Sequence, residues 1–356
     1  FRRVLFRSPA LVWFSQNVCI SKRELNVFFT FLAWGALLLA TSSFSPALGL
    51  ANWVQSARGV GLVLPFVVFA AFIAAKSQDA SVRAILSLGL VVLVHYSYRL
   101  ATGDAVGTGF WNFGGVAEIN GVRNYQSTSF YLGFIGIWLL TAGQVRLRLS
   151  SWMWFFLALV VGLMASTGGR SAIIALTVCV LVSFRKQWRL LVLSGLLGLF
   201  AMGALIHHYN DILGVLARAT IFERFIELFS GGDRSYRLGL YLSALQIWVD
   251  SPSSFIFGRG LGSFPLMVGL DPVAGWYPHN FILECIAEGG VVASVPLFVL
   301  LFKFISGFAR PTPLEFNRLF FQNFSLYGLC AYMFMGGLAS VWLPCFALAL
   351  YLFTFE

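Results

Sequence analysis

Apolar runs broken by short polar stretches recur along this chain, at about 25–42, 59–75, 82–98, 126–142, 151–167, 171–185, 189–207, 279–304, 319–338 and 340–355. A helix of some twenty apolar residues crosses a bilayer, and only helices or closed barrels do so without stranding backbone polar groups. The alternating pattern of barrel strands does not occur, so the expectation is an all-α, polytopic transmembrane helical bundle of about ten spans. The run 171–185 is short and reads as tilted or partly buried against its neighbours. The longest interruption, 208–278, has a pattern of its own. Apolar residues from Ile212 to Phe229 recur at near-helical spacing and predict an amphipathic helix lying at the membrane interface. Ser230-Gly231-Gly232-Asp233 breaks it. A second helix is predicted from about Ser235 to Trp248, ending near Asp250-Ser251-Pro252, and Gly258 to Phe264 form a glycine-rich turn that leads back to His279.

The chain therefore divides into seven spans over 9–207, a loop with interfacial helices over 208–278, and three spans over 279–356. Residues 1–8 read as the translation of a sequencing-adapter oligonucleotide and are set aside. With no initiator methionine, the expectation is that the native N-terminus and further spans are missing.

Composition agrees with the pattern. Charged residues make up 11% and apolar residues 59%, and the mean hydropathy is +0.83, which excludes a soluble globule. Charge placement predicts orientation. With the N-terminal stub in the cytoplasm, every lysine (Lys22, Lys76, Lys186, Lys303) falls inside, with Arg23, Arg83, Arg146, Arg148, Arg185, Arg189, Arg310 and Arg318. The outer side carries arginine only, nearly balanced by acids, and all four histidines. The net charge of +10 thus reads as topology, and no basic, aromatic-interleaved domain points to nucleic acid. The five cysteines lack CxxC spacing and read as small buried residues.

The candidate chemistry lies at Tyr277-Pro278-His279-Asn280, with Glu284 and Glu288-Gly289-Gly290 behind it. Ionisable groups at membrane depth are expensive and seldom serve packing alone. Asn280, Glu284 and Glu288 recur every four residues and share one helical face; His279 after Pro278 stands at the helix start. Of the nine arginines that this topology puts outside, Arg123, Arg170, Arg234, Arg237 and Arg259 are the candidates.

Three blocks resemble the lipopolysaccharide O-antigen ligase and O-antigen polymerase superfamily of bacterial inner-membrane glycosyltransferases. Ser166-Thr167-Gly168-Gly169-Arg170-Ser171 is similar to that family's outer-face turn, with Gly169 where a serine and Ser171 where a glycine is usual. Asp233-Arg234-Ser235 through Gly258-Arg259-Gly260-Leu261-Gly262-Ser263-Phe264 resembles its arginine, helix and glycine-turn segment. His279-Asn280 with Leu283-Glu284 and Glu288-Gly289 resembles its His-Asn-x-x-Leu-Glu block. The resemblance covers about 160–304. It implies a twelve-span protein with the large loop between the ninth and tenth spans, so that two spans would precede this chain.

The resemblance further implies a donor glycan on undecaprenyl diphosphate. The acceptor is a hydroxyl of lipid A-core, or of a second lipid-linked glycan in a polymerase. The active site faces the periplasm among membrane lipids, with no cofactor. The catalytic set it implies is His279, Arg170, Glu284 and Asn280. His279 orients or deprotonates the acceptor hydroxyl; Arg170, Arg234, Arg237 and Arg123 bind the diphosphate; Glu288 and Arg259 support. Glu284 or Glu288 holds the imidazole or pairs with an arginine. Guanidinium suits a diphosphate leaving group better than ammonium, and imidazole titrates near neutrality. No Asp-x-Asp is present and acidic clusters are sparse, so no metal is expected.

Plainer readings stand beside these. Arg170 can cap a turn at the headgroups, Arg234 and Arg237 can form a solvated helix face, and Glu284 can bond a neighbouring helix. His95, Arg99 and His207-His208 read as interfacial residues. The glycine turn is no nucleotide cradle, because no strand precedes it. A transporter of lipid-linked or anionic substrate is the alternative function. It should show internal repeats and midplane polar groups, and neither stands out here.

Overall fold

The computed structural model describes residues 20–42, 58–101, 125–146, 150–167, 170–185, 237–269, 277–308, 315–335 and 342–355. Among these residues the protein is all helical, with no strand. Helix α1 runs Lys22–Ser42. A π-helical turn, Arg58–Val63, leads into α2, Leu64–Lys76. Then follow α3 (Gln78–Ala101), α4 (Tyr125–Val145), α5 (Ser151–Thr167) and α6 (Arg170–Ser183). After the undescribed residues come α7 (Arg237–Val249), α8 (Pro252–Phe257), α9 (Phe264–Met267), α10 (Phe281–Phe308), α11 (Phe316–Met335) and α12 (Trp342–Phe355).

Among the described residues, four helices are long and apolar enough to cross a membrane: α1, the Gln78–Tyr98 part of α3, the Thr128–Val145 part of α4, and α10. Helices α2, α5, α6 and α12 are apolar but shorter. The run at 189–207, the amphipathic stretch 211–229, Arg123, Arg234, His207, His208 and residues 1–8 lie outside the described residues. Two features of 208–278 differ from expectation. Pro252 does not merely end a helix: Ser251 caps α8, its Oγ accepting the N–H of Ser254 at 3.2 Å, and Pro252 takes the first helical position, where its missing N–H costs nothing. The glycine-rich turn also delivers a further short helix, α9, before the chain returns.

Packing runs in lengthwise pairs: α1 lies along α10, α2 along α12, α4 along α5, and α6, α4 and α12 along α11. Lipid tails are as apolar as side chains, so close packing and buried polar ties must hold such a bundle. Both are present. Phe130 of α4 stacks on Tyr327 of α11 at 5.0 Å, and the Tyr327 hydroxyl donates to the Phe130 carbonyl at 2.9 Å. Nearby, Asn323 Nδ2 donates to Thr141 Oγ1 (3.0 Å) and Gln144 Oε1 (2.6 Å), while its Oδ1 accepts from Ser183 Oγ at 3.3 Å. One amide thus ties α4, α6 and α11. Asn323→Ala is expected to cost about 1–2 kcal/mol, since each buried membrane hydrogen bond contributes about 0.6 kcal/mol. A lowered midpoint in detergent thermal unfolding checks this; an unchanged midpoint rejects it.

The end of the bundle predicted to be cytoplasmic is tied by charge. Ser21 and Glu24 form a reciprocal cap at the start of α1, at 2.7 and 3.2 Å, and Lys76 at the end of α2 pairs with Glu24 at 2.6 Å. The opposite end of α1 carries Ser42, whose Oγ donates to the Leu38 carbonyl and accepts the Leu261 N–H at 3.1 Å. This contact brings the glycine-rich turn against the bundle beside α10.

Candidate functional site

The site forms where the chain enters α10. Asn280 caps the helix: its Oδ1 accepts the N–H groups of Ile282 and Leu283, both at 3.1 Å, and its carbonyl accepts that of Glu284 at 3.1 Å. Capping thus engages the Asn280 side-chain oxygen. His279, just before the cap, has φ +55, a left-handed backbone uncommon outside glycine. That turn carries the imidazole onto Tyr277, with ring centroids 4.3 Å apart and the rings inclined at 49°.

The imidazole is unusual in its partners. Its Nδ1 is buried and has no hydrogen-bond partner among the described residues. Burial, and then the positive charge of Arg237 at the first position of α7, push its pKa down from the ordinary 6.5 to about 4. The charge of Arg237 reaches Tyr241 as well. The imidazole thus stacks with Tyr277 within electrostatic reach of Arg237, and Leu283, one turn into α10, packs on the cluster that Leu240, one turn into α7, helps to form, so the starts of the two helices lie near each other. Tyr332 of α11 lies within electrostatic reach of Tyr277.

Two carboxylates follow on α10. Glu284 and Glu288 are both buried. The Glu288 carboxylate accepts the N–H groups of Gly262 (2.8 Å) and Phe264 (3.1 Å), so it grips the glycine-rich turn. Arg259 is engaged too: its guanidinium pairs with Asp250, and its backbone N–H donates to the Ala287 carbonyl at 3.1 Å. Arg170 opens α6, which packs on α4, α5 and α11. Of the residues singled out from sequence, the structure brings Arg237 within electrostatic reach of His279 and sets Asn280 after His279 as a cap. It leaves Arg170 on another helix and turns Glu288 and Arg259 to the glycine-rich turn.

Tyr241 and Tyr277 were not expected. A phenol one helical turn after Arg237 and another two residues before His279 were the available signals, and both resemble ordinary interfacial tyrosines.

No group of three or more His, Cys, Asp and Glu among the described residues is placed to hold a metal ion. Comparisons with protein-family models, with curated proteins and with solved structures find no match for this chain.

The depressed imidazole pKa gives a signed prediction. The unfolded chain takes up a proton near 6.5 and the folded one only near 4. His279 thus lowers stability progressively as pH falls through that window, and contributes no such penalty above it. Arg237→Gln removes the second of the two causes and is expected to move the His279 titration upward. Imidazole NMR titration in micelles reads this; an unmoved midpoint would separate Arg237 from the site.

Proposed function

We propose that this chain is a membrane glycosyltransferase of the O-antigen ligase type. It moves a glycan from undecaprenyl diphosphate to a hydroxyl of lipid A-core on the periplasmic face of the bacterial inner membrane. The observation that carries the reading is the neutral His279 imidazole, its buried Nδ1 without a hydrogen-bond partner among the described residues, within electrostatic reach of the Arg237 guanidinium. A general base has to be unprotonated at working pH, and a diphosphate leaving group needs fixed positive charge close by.

In the step proposed, the acceptor oxygen bonds to the anomeric carbon while His279 takes the hydroxyl proton. The bond from that carbon to the diphosphate oxygen breaks, and its electron pair leaves with undecaprenyl diphosphate, met by Arg237. Arg170, Arg234 and Arg123 are the further guanidinium groups available for the diphosphate, and Glu284 is the carboxylate nearest in sequence to the base. Arg259 and Asn280 have structural work in this reading. An amphiphilic donor also fits the exterior of α7. From one residue past Arg237, Leu238, Leu242, Leu245 and Val249 make an exposed apolar edge, 72%, 54%, 40% and 61% exposed.

The test is transfer by the full chain in proteoliposomes. Donor is supplied with and without lipid A-core, and products are sized by mass spectrometry. A glycosylated lipid A-core supports the ligase reading. Chain lengthening without it identifies a polymerase using the same site. Movement of intact donor across the bilayer with no product would make the protein a transporter.

A further inference from the structure

We infer that Glu288 is a positioning residue: it fastens the backbone at Phe264 and, through the packing of Phe264 and Leu283 against α7, holds α7, with Arg237 at its start, near the start of α10 that carries His279. Only the activity arm of the test below rests on the transferase reading.

The geometry starts at a break in α10. Gly290 has φ +61 and ψ −166, so the helical hydrogen-bond ladder stops there and the carbonyls of Ala287 and Glu288 lose their helical donors. The glycine-rich turn supplies new ones: Arg259 N–H donates to the Ala287 carbonyl at 3.1 Å, and Gly260 N–H to that of Glu288 at 2.8 Å. Positive φ angles at Gly260 (+88) and Gly262 (+75) then curl the chain, so that the Gly262 and Phe264 N–H groups meet the Glu288 carboxylate.

That carboxylate is 0% exposed. A buried carboxylate is costly unless hydrogen bonds to the charged form offset its desolvation, and here two converge on it. The shape demands this residue type. Two acceptor oxygens on one carbon serve two N–H donors, one of them amid glycines. Glutamine has one acceptor and would turn its own N–H₂ toward a second donor.

Phe264 passes this hold on to the site. Its side chain is fully buried in a small cluster with Leu240, Ala244 and Ile247 of α7 and Ala287 of α10. Leu240 lies one helical turn after Arg237, on the same helix that carries Tyr241. A turn released from Glu288 lets Phe264 shift, and α7 moves with it. Ser42 holds the turn only at Leu261, upstream of both Glu288 contacts.

The experiment compares the full-length protein with Glu288→Gln, Glu288→Ala and Phe264→Leu in detergent. Phe264→Leu keeps the test open if the carboxylate variants fold poorly, because it trims the α7 contact without altering α10. The first reading is the NMR titration of His279. Each variant is expected to raise its pKa by about half a unit to one unit, and adding Arg237→Gln to Glu288→Gln should produce little further change. The second is amide exchange at Gly262 and Phe264, expected to speed up about ten-fold or more in the Glu288 variants. The third is glycan transfer, expected to fall about ten- to hundred-fold in kcat/KM, with the acid limb of its pH profile following the NMR midpoint.

Loss of transfer with unchanged His279 titration would overturn the positioning role, as would a folded Glu288→Gln protein with unchanged amide exchange. Phe264→Leu with an unmoved titration would do the same. Should the protein prove not to transfer glycan, the first two readings decide the inference without it.

Discussion

Gly290→Ala and Gly258→Ala are each expected to lower stability by about 2–5 kcal/mol, enough to remove much of a typical folding margin. The two glycines face each other where the turn crosses the break in α10. A Cβ on Gly290 would stand 2.4 Å from the Gly258 nitrogen and 2.5 Å from the Ile256 carbonyl oxygen; one on Gly258 would stand 2.2 Å from the Glu288 carbonyl oxygen. All of these are backbone atoms, so no side chain can rotate out of the way. Both residues also have positive φ, +61 and +73, which adds strain for any residue with a Cβ. Gly239→Ala is the matched control. It lies in α7 with nothing within 4 Å of the added methyl, and helix propensity favours alanine there by up to about 1 kcal/mol. Thermal unfolding in detergent should therefore separate the first two variants from the third. Similar midpoints for all three would mean that the turn does not press on α10 as the geometry has it.

Replacement of His279 is expected to reduce glycan transfer by about 10²- to 10⁴-fold, the span over which a general base contributes. The backbone at this position allows the chemical effect to be separated from folding. At φ +55, asparagine and glycine are at least as comfortable as histidine, so His279→Asn and His279→Gly should keep the midpoint of unfolding or raise it while losing transfer. Imidazole added to the glycine variant should restore part of the rate. Comparable transfer by wild type and His279→Asn would remove the imidazole from the reaction.

Much of the bundle was legible because bilayer physics writes itself into long apolar runs. The run read at 151–167 coincides with α5, and those at 25–42, 126–142 and 340–355 lie within two to three residues of α1, α4 and α12 at most ends. Length and composition mark only some of these helices as able to cross a membrane alone, since α5, α6 and α12 are short. The break in α10 was hidden. Glu288-Gly289-Gly290 sits within one continuous apolar run, where paired glycines equally suit close helix contact. The partners of Glu288 were out of reach for a different reason. They are backbone N–H groups 24 and 26 residues away, and a sequence records side chains, not the direction of an amide. Shared spacing put Asn280, Glu284 and Glu288 on one face correctly, yet spacing alone could not show that one caps the helix and another grips the turn. Pro252 was ambiguous in a familiar way, since Ser-Pro can stop one helix and start the next. The approach of Arg237 to within electrostatic reach of His279 was only half legible: both were singled out, but 42 positions of chain separate them.

The central claim is that a lipid-linked donor is held around His279 and Arg237. Photo-crosslinking tests it most directly, using undecaprenyl diphosphate with a photoreactive group on its first sugar and the full-length protein in lipid. Adducts are expected on peptides containing 237–241 and 277–280, competed by unlabelled donor and weakened by Arg237→Gln. Adducts confined to other helices, with 237–241 and 277–280 unlabelled, would contradict the claim.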